Sequence, residues 1–109
     1  MAYNKELESR IERIITGWKN TDHKKMFGGI CHLIHGNMFC GVYKDFLILR
    51  LGEGLAKDAL ELAFVRPFDI TGRAMKGWVM VADEGFSSDQ ELEVWLNKAK
   101  DFAETLPSK

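Results

Sequence analysis

Long apolar runs are missing from this sequence. Stretches such as Phe46 to Leu49 are short, and charge begins at Lys5, so neither a membrane-spanning helix nor a signal peptide is expected, and the expected location is the cytoplasm. Net charge is missing too. The 15 basic and 16 acidic residues leave −1, and nothing in that balance favours a polyanionic partner. Cysteine is scarce, with only Cys31 and Cys40, which in a reducing compartment are free thiols by default. Catalytic signatures are also absent. There is no G-x-S-x-G, P-loop, G-x-G-x-x-G or H-E-x-x-H, so no nucleophile elbow or phosphate cradle is recognised, and neither an enzyme nor a cofactor is expected.

What is present is an ordinary globular composition. With 46% hydrophobic and 28% charged residues in 109, the chain suits one domain, residues 1–109, with a single core. Charge is uneven, at +2 over residues 5–25 and −4 over residues 83–109. A dipolar surface of that kind suits a protein partner.

In "NKELESRIERIITGW" the positions Leu7, Ile11, Ile14, Ile15 and Trp18 follow helical spacing, with Asn4 as N-cap and Glu6–Arg10 as an i,i+4 pair. "KNTDH" breaks the pattern. From Met26 to Leu51, short apolar runs separated by "HGN" and "YKD" predict two hairpins, hence three antiparallel strands. In the third, "FLILRL", Leu47, Leu49 and Leu51 share the core face, opposite Phe46, Ile48 and Arg50. "GLAKDALEL" places Leu55, Ala59 and Leu62 on one stripe of a short crossover helix, which Pro67 prevents from continuing. "FDI" and "GWVMVA" predict two more strands, joined by "TGRAMK" with Gly72 in the turn. A final helix opens with the capping box Ser88-x-x-Glu91, aligns Leu92, Trp95, Ala99, Phe102, Ala103 and Leu106, and stops at Pro107. The expected fold is α+β: a two-layer domain of order α-β-β-β-α-β-β-α with a mainly antiparallel five-stranded sheet.

Cys31, His32, His35 and Cys40 lie within ten residues, which raises zinc. Strand alternation puts Cys31 and His32 on opposite faces and the usual ligand spacings are missing, so no metal is expected. A redox pair depends on register. A type I′ turn at His35-Gly36 makes Cys31 face Cys40 at a non-hydrogen-bonded site, where Cα atoms approach to about 4.5 Å and a disulfide would be strained. A turn at Gly36-Asn37 makes the pair only diagonal. The competing account is that both are small apolar core residues, and neither has an adjacent cation to stabilise a thiolate in sequence.

For binding, "RPFDITGRAMKGWV" joins the cations Arg66, Arg73 and Lys76 to Trp78, residue types favoured at hot spots, although Phe68 and Met80 would also suit Trp78 to the core. "HKKMFGG" adds Lys24 and Lys25 beside Met26 and Phe27, either a collar for an acidic partner or a capped strand entry.

Met26-Phe27-Gly28-Gly29, Gly36-Asn37-Met38, Cys40-Gly41-Val42, Pro67, Gly72 and Met75-Lys76-Gly77-Trp78 occur together in that order. By that combination the chain, from about Tyr3 to Pro107, resembles the TfoX amino-terminal domain family. The resemblance implies a two-layer domain similar in topology to secretion-chaperone-like folds. It also implies kinship with bacterial regulators of natural competence, whose second, helical carboxy-terminal domain is not represented here, and it supplies no catalytic residues. The family commonly has Asn-Gly where this chain has His35-Gly36, which supports the type I′ register.

The expected function is a non-enzymatic regulatory or adaptor module that acts through protein contacts and self-associates as a homodimer. Direct nucleic-acid binding is the second expectation, and it needs Lys24, Lys25, Arg66, Arg73 and Lys76 to converge on one face. A small-molecule pocket near Arg73 and Trp78 is the third.

Overall fold

The computed structural model describes residues 3–26, 28–69, 72–73 and 75–107. Phe27, Ile70, Thr71 and Ala74, on which parts of the strand and turn expectations fall, lie outside the described residues. The elements run α1 (Lys5–Ile15), β1 (Thr21–Met26), β2 (Gly29–Ile34), β3 (Asn37–Tyr43), β4 (Phe46–Arg50), α2 (Glu53–Ala59), β5 (Val65–Pro67), β6 (Trp78–Val81), a 3-10 turn (Asp83–Phe86) and α3 (Asp89–Ala103). The fold is α+β with an antiparallel sheet, and the sheet has six strands in the order β1-β2-β3-β4-β6-β5 rather than five.

The additional strand is β1, "TDHKKM", part of which was expected to be a break. It has no apolar alternation because it is an edge strand, held by its backbone ladder to β2 and guarded by charges instead of by a buried face. The second correction concerns "FDI". Pairing instead uses Val65–Pro67, three residues earlier, where the edge position tolerates Pro67 because that side needs no further N–H donor.

Helices α1 and α3 cover one face of the sheet, α3 across β3 and β4 and α1 beside it on β3. Asn4 caps α1 by accepting a hydrogen bond from the Leu7 N–H at 3.0 Å, and Leu7, Ile11 and Ile15 are buried as their spacing predicts. Arg10, expected to pair with Glu6, turns instead to α3. It meets Asp89 at 2.9 Å and donates to the Phe86 carbonyl at 2.7 Å, so two helices are tied by one guanidinium. In α3, Leu92, Trp95, Leu96, Ala99 and Ala103 are buried, and the Trp95 Nε1–H donates to the Gly85 carbonyl at 2.8 Å, which satisfies the one polar atom of its ring. The Leu face of β4 is the core face, with Leu47, Leu49 and Leu51 all buried.

The capping box of α3 is formed. Ser88 Oγ accepts from the Glu91 N–H and Glu91 Oε1 accepts from the Ser88 N–H, both at 3.1 Å. Hydrogen bonds from Ser88 and Ser87 hold the Glu91 carboxyl below its usual range. Ser88→Ala is expected to lower stability by about 1 kcal/mol, read by urea unfolding. An unchanged midpoint would mean that this cap contributes nothing in solution.

The first hairpin turns at His35-Gly36, both with positive φ (52° and 82°), as a type I′ turn requires. Its register then departs from the regular one. Ile34 pairs with Asn37 and Leu33 with Met38, but His32 pairs with Cys40, leaving Phe39 as an inserted residue. The bulge turns Phe39 and Cys40 to the core together, and the Phe39 ring meets Trp18 at 5.9 Å. Asn37, buried at the start of β3, donates from Nδ2 to the Pro107 carbonyl at 2.9 Å and anchors the segment that leaves α3.

Beyond the core, a smaller cluster lies on the other face of the sheet. Ile48, Phe68 and Met80 are buried there, flanked by Met38, Tyr43, Phe46 and Trp78. Among the described residues no helix is long and apolar enough to cross a membrane.

Candidate functional site

The five cations proposed for binding do not converge. Lys24 and Lys25 lie on β1 at one sheet edge, whereas Arg66 lies on β5 at the other, with Arg73 and Lys76 in the connection that follows it. Five interstrand spacings, roughly 24 Å, separate the two edges. Sequence proximity could not show this, because β1 and β5 are far apart in the chain and their separation depends on the strand order.

Around Trp78 the residues do gather. Its ring stacks on Phe68 at 5.7 Å, and the Arg50 guanidinium lies over it at 5.3 Å. Arg66 lies over Phe46 at 5.5 Å on the same sheet face. Beside Trp78 a groove of about 410 Å³ runs between α2 and the turn before β6, with Ala56, Leu60, Pro67, Met75 and Lys76 among its lining residues. The backbone sets its width, because the Leu51 and Gly52 N–H groups both donate to the Gly77 carbonyl (2.8 and 3.1 Å) and so pin the start of α2 to that turn.

The buried stripe of α2 is only partly the expected one, since of Leu55, Ala59 and Leu62 only Ala59 is buried. Ala56 and Ala59 face inward, while Leu55 and Leu62 are 44% and 42% exposed. A short helix held this close to the sheet has room inside only for small side chains. Leu55 is displaced outward, and beyond the helix Leu60 (40%), with Met75 (38%), stands exposed at the groove. The sequence reading missed both residues. The signal available was the Ala56/Ala59 spacing, which marks a close-packed face as plainly as leucines mark a deep one.

The bulge at Phe39 decides the thiol question. Cys31 pairs with Gly41 and Cys40 pairs with His32, so the two cysteines project from opposite faces of the sheet instead of facing each other. The regular register behind the redox-pair expectation is therefore corrected. Both cysteines are free and buried. Burial pushes the Cys31 thiol up to about 11 against the opposing pull of Lys24, and pushes Cys40 well above its usual range with help from Cys31. Neither is poised as a thiolate.

His32 follows from the same pairing. It alternates with Ile30 and Ile34 on the core face and is 2% exposed, and its Nε2 has no hydrogen-bond partner among the described residues. Burial lowers its pKa to about 4, His23 adds to that lowering, and Glu8 opposes it. The two imidazoles are cross-strand partners with ring centroids 6.3 Å apart. They border a second cleft, of about 520 Å³, beneath the end of α1. Among the described residues no group of three or more His, Cys, Asp or Glu side chains is arranged to hold a metal ion.

Residues 13–103 match the family model of the TfoX N-terminal domain. The chain belongs to that family. The match to the TfoX N-terminal domain takes in all six strands, α2 and α3, and with them every residue of the groove. No curated protein and no solved structure matches the chain. Membership of the TfoX N-terminal family suggests a regulatory, competence-related module, and the family is not known for catalysis.

Proposed function

We propose that the chain is a cytoplasmic, non-enzymatic regulatory or adaptor module that docks an apolar, acidic segment of a partner protein in the groove between α2 and Trp78. The observation that carries this reading is the outward displacement of Leu60 and Met75 beside the half-buried Trp78. Exposed apolar side chains gathered at a concave surface are the usual mark of a protein contact. Lys57 and Lys76 line the groove against the single carboxylate of Glu53, and Arg66 lies next to it on β5, which supports an acidic flank on the occupant.

Self-association belongs on the same face. Both sheet edges are guarded, β1 by Asp22, Lys24 and Lys25 and β5 by its three-residue length and Pro67, so pairing of edge strands between copies is disfavoured. The exposed Leu55, Leu60 and Leu62 in and after α2, with the groove, remain as the apolar surface for a second copy.

Affinity capture from native extract, with wild type, Leu60→Glu and the Arg73→Ala/Lys76→Ala double variant as baits, tests the docking. Leu60→Glu is expected to lose the wild-type partners and the double variant to retain them weakly, while light scattering shows Leu60→Glu shifted toward monomer. Identical partners on all three baits would move the docking surface elsewhere.

A further inference from the structure

The second face of the sheet carries no helix, because α1 and α3 lie across the core face and Ala56 and Ala59 turn α2 to the same side. A sheet face is normally buried against a further layer. Successive pairing sets Lys24, Cys31, Gly41, Ile48, Met80 and Arg66 in one row across all six strands, with a cation at each end, roughly 24 Å apart. The two cations at opposite edges therefore share this face. Between them the half-buried Met38, Tyr43, Phe46 and Trp78 pack on the buried Ile48, Phe68 and Met80, and Leu33, also half-buried, pairs with Met38. The middle of the face is apolar.

Its charge is mostly of one sign. Lys44 Nζ lies over Tyr43 at 5.4 Å, the Arg66 guanidinium over Phe46 at 5.5 Å and that of Arg50 over Trp78 at 5.3 Å. Among the described residues neither these three cations nor Lys24 is in an ion pair. Asp22 is the only acid in the six strands, and its carboxylate accepts from the His23 N–H; Asp69, beyond β5, borders a small cleft with Arg66 without pairing with it. Guanidinium groups that lie on rings, with no carboxylate at their edges, keep their donors for an anionic partner.

A second copy does not suit this face. Two such faces related by a two-fold axis along the strands would set Lys24 opposite Arg66, and an axis across the strands would set each cation opposite itself. Single-stranded nucleic acid suits it little better. Bases stack on bare rings, whereas Tyr43 and Phe46 each already carry a cation and Trp78 has both Arg50 and Phe68 against it.

We infer that this face docks an acidic amphipathic helix of a partner protein, its apolar side on Met38, Tyr43, Phe46 and Trp78 and its carboxylates at Lys24, Arg50 and Arg66. A helix reaching from Lys24 to Arg66 has about 16 residues. This surface is separate from the groove beside α2, although Trp78 borders both.

Methyl NMR of the isotope-labelled full chain tests this, with a synthetic helical peptide of about 16 residues built from leucine, alanine and glutamate, its leucines spaced i, i+3, i+4 and i+7. Saturable shifts of the Met38, Ile48 and Met80 methyls are expected, in wild type and equally in Leu60→Glu, which alters the groove alone. Binding is expected to be at least tenfold weaker for the same peptide with lysine in place of glutamate, and at least tenfold weaker in Lys24→Glu/Arg66→Glu, a change at two exposed positions. The lysine peptide keeps the charge requirement testable should the double variant fail to fold. No saturable shift at millimolar peptide, equal binding of the lysine peptide, or unchanged affinity in a folded double variant overturns the proposal. Shifts confined to Leu60 and Met75 and lost in Leu60→Glu overturn it while leaving the groove reading intact. Tighter binding of oligothymidylate, with shifts of the same methyls, overturns it in favour of single-stranded nucleic acid.

Discussion

Gly29→Ala is expected to lower the stability of the domain by about 3 kcal/mol, a value at the severe end for a single added methyl. Gly29 opens β2 where the backbone of β3 passes closest. A Cβ built there overlaps the Val42 carbonyl oxygen outright, with the Val42 carbonyl carbon at 3.1 Å and the Tyr43 Cα at 3.4 Å. The obstacle is backbone, not a side chain that could swing aside. Val42 is also fixed from both flanks, paired with Ile30 on β2 and with Leu47 on β4, so relief requires opening one of two ladders. The measurement is urea unfolding, with a lower midpoint at an unchanged slope. Gly54→Ala is the control, since a Cβ there meets nothing within 4 Å and the position lies in α2; it is expected to be neutral or slightly stabilising. A loss of less than about 1 kcal/mol in Gly29→Ala would contradict the register at the start of β2.

The second large effect is a pH dependence set by His32. Its native pKa is lowered from 6.5 to about 4, chiefly by burial and then by His23, with Glu8 opposing. As pH falls below 6.5 the unfolded chain protonates this imidazole while the native state does not. The unfolded state therefore binds more protons, and stability decreases with falling pH until the native ring titrates near 4. The shift corresponds to roughly 3 kcal/mol, fully present above the unfolded value and lost progressively on acidification. Urea unfolding at pH 7 and at about pH 4.5 should show wild type losing roughly 2–3 kcal/mol more than His32→Phe, a comparison in which the carboxylates common to both chains cancel. Equal losses in the two proteins would show that His32 titrates as a solvated ring and is not held in a dry, unpaired position.

Much of the architecture was legible because it is written locally. Asn4, Ser88 and Glu91 act on N–H groups within three residues, and Leu7, Ile11, Leu92 and Ala99 report their faces through helical period alone. The alternation of Leu47, Leu49 and Leu51 identifies the core face of β4 in the same way. Sequence pattern failed where backbone pairing or close packing overrode it. β1 is a strand without an apolar face, so periodicity had nothing to detect. α2 buries Ala56 beside the expected Ala59, while Leu55 and Leu62 face solvent, so scoring leucines placed the stripe only in part.

The candidate sites divide along the same line. Residue types alone selected Trp78 and Lys76, both of which line the groove, and left the turn open between His35-Gly36 and Gly36-Asn37, which the family resemblance resolved toward the former. They could not select Leu60 and Met75, whose exposure results from how near α2 is held to the turn before β6. They also could not reveal the Phe39 bulge, which separates Cys31 from Cys40 and sets His32 beside Cys40.

By itself, then, the sequence determined the family pattern, the helix caps, the first hairpin turn and an α+β chain with one main core, because these depend on neighbours a few positions apart. Only the tertiary structure decided which cations share a surface, which leucines face solvent and what surrounds His32. Those outcomes depend on strand order, on one inserted residue and on the distance between α2 and β6, and the free energy that fixes them comes from residues remote in the chain.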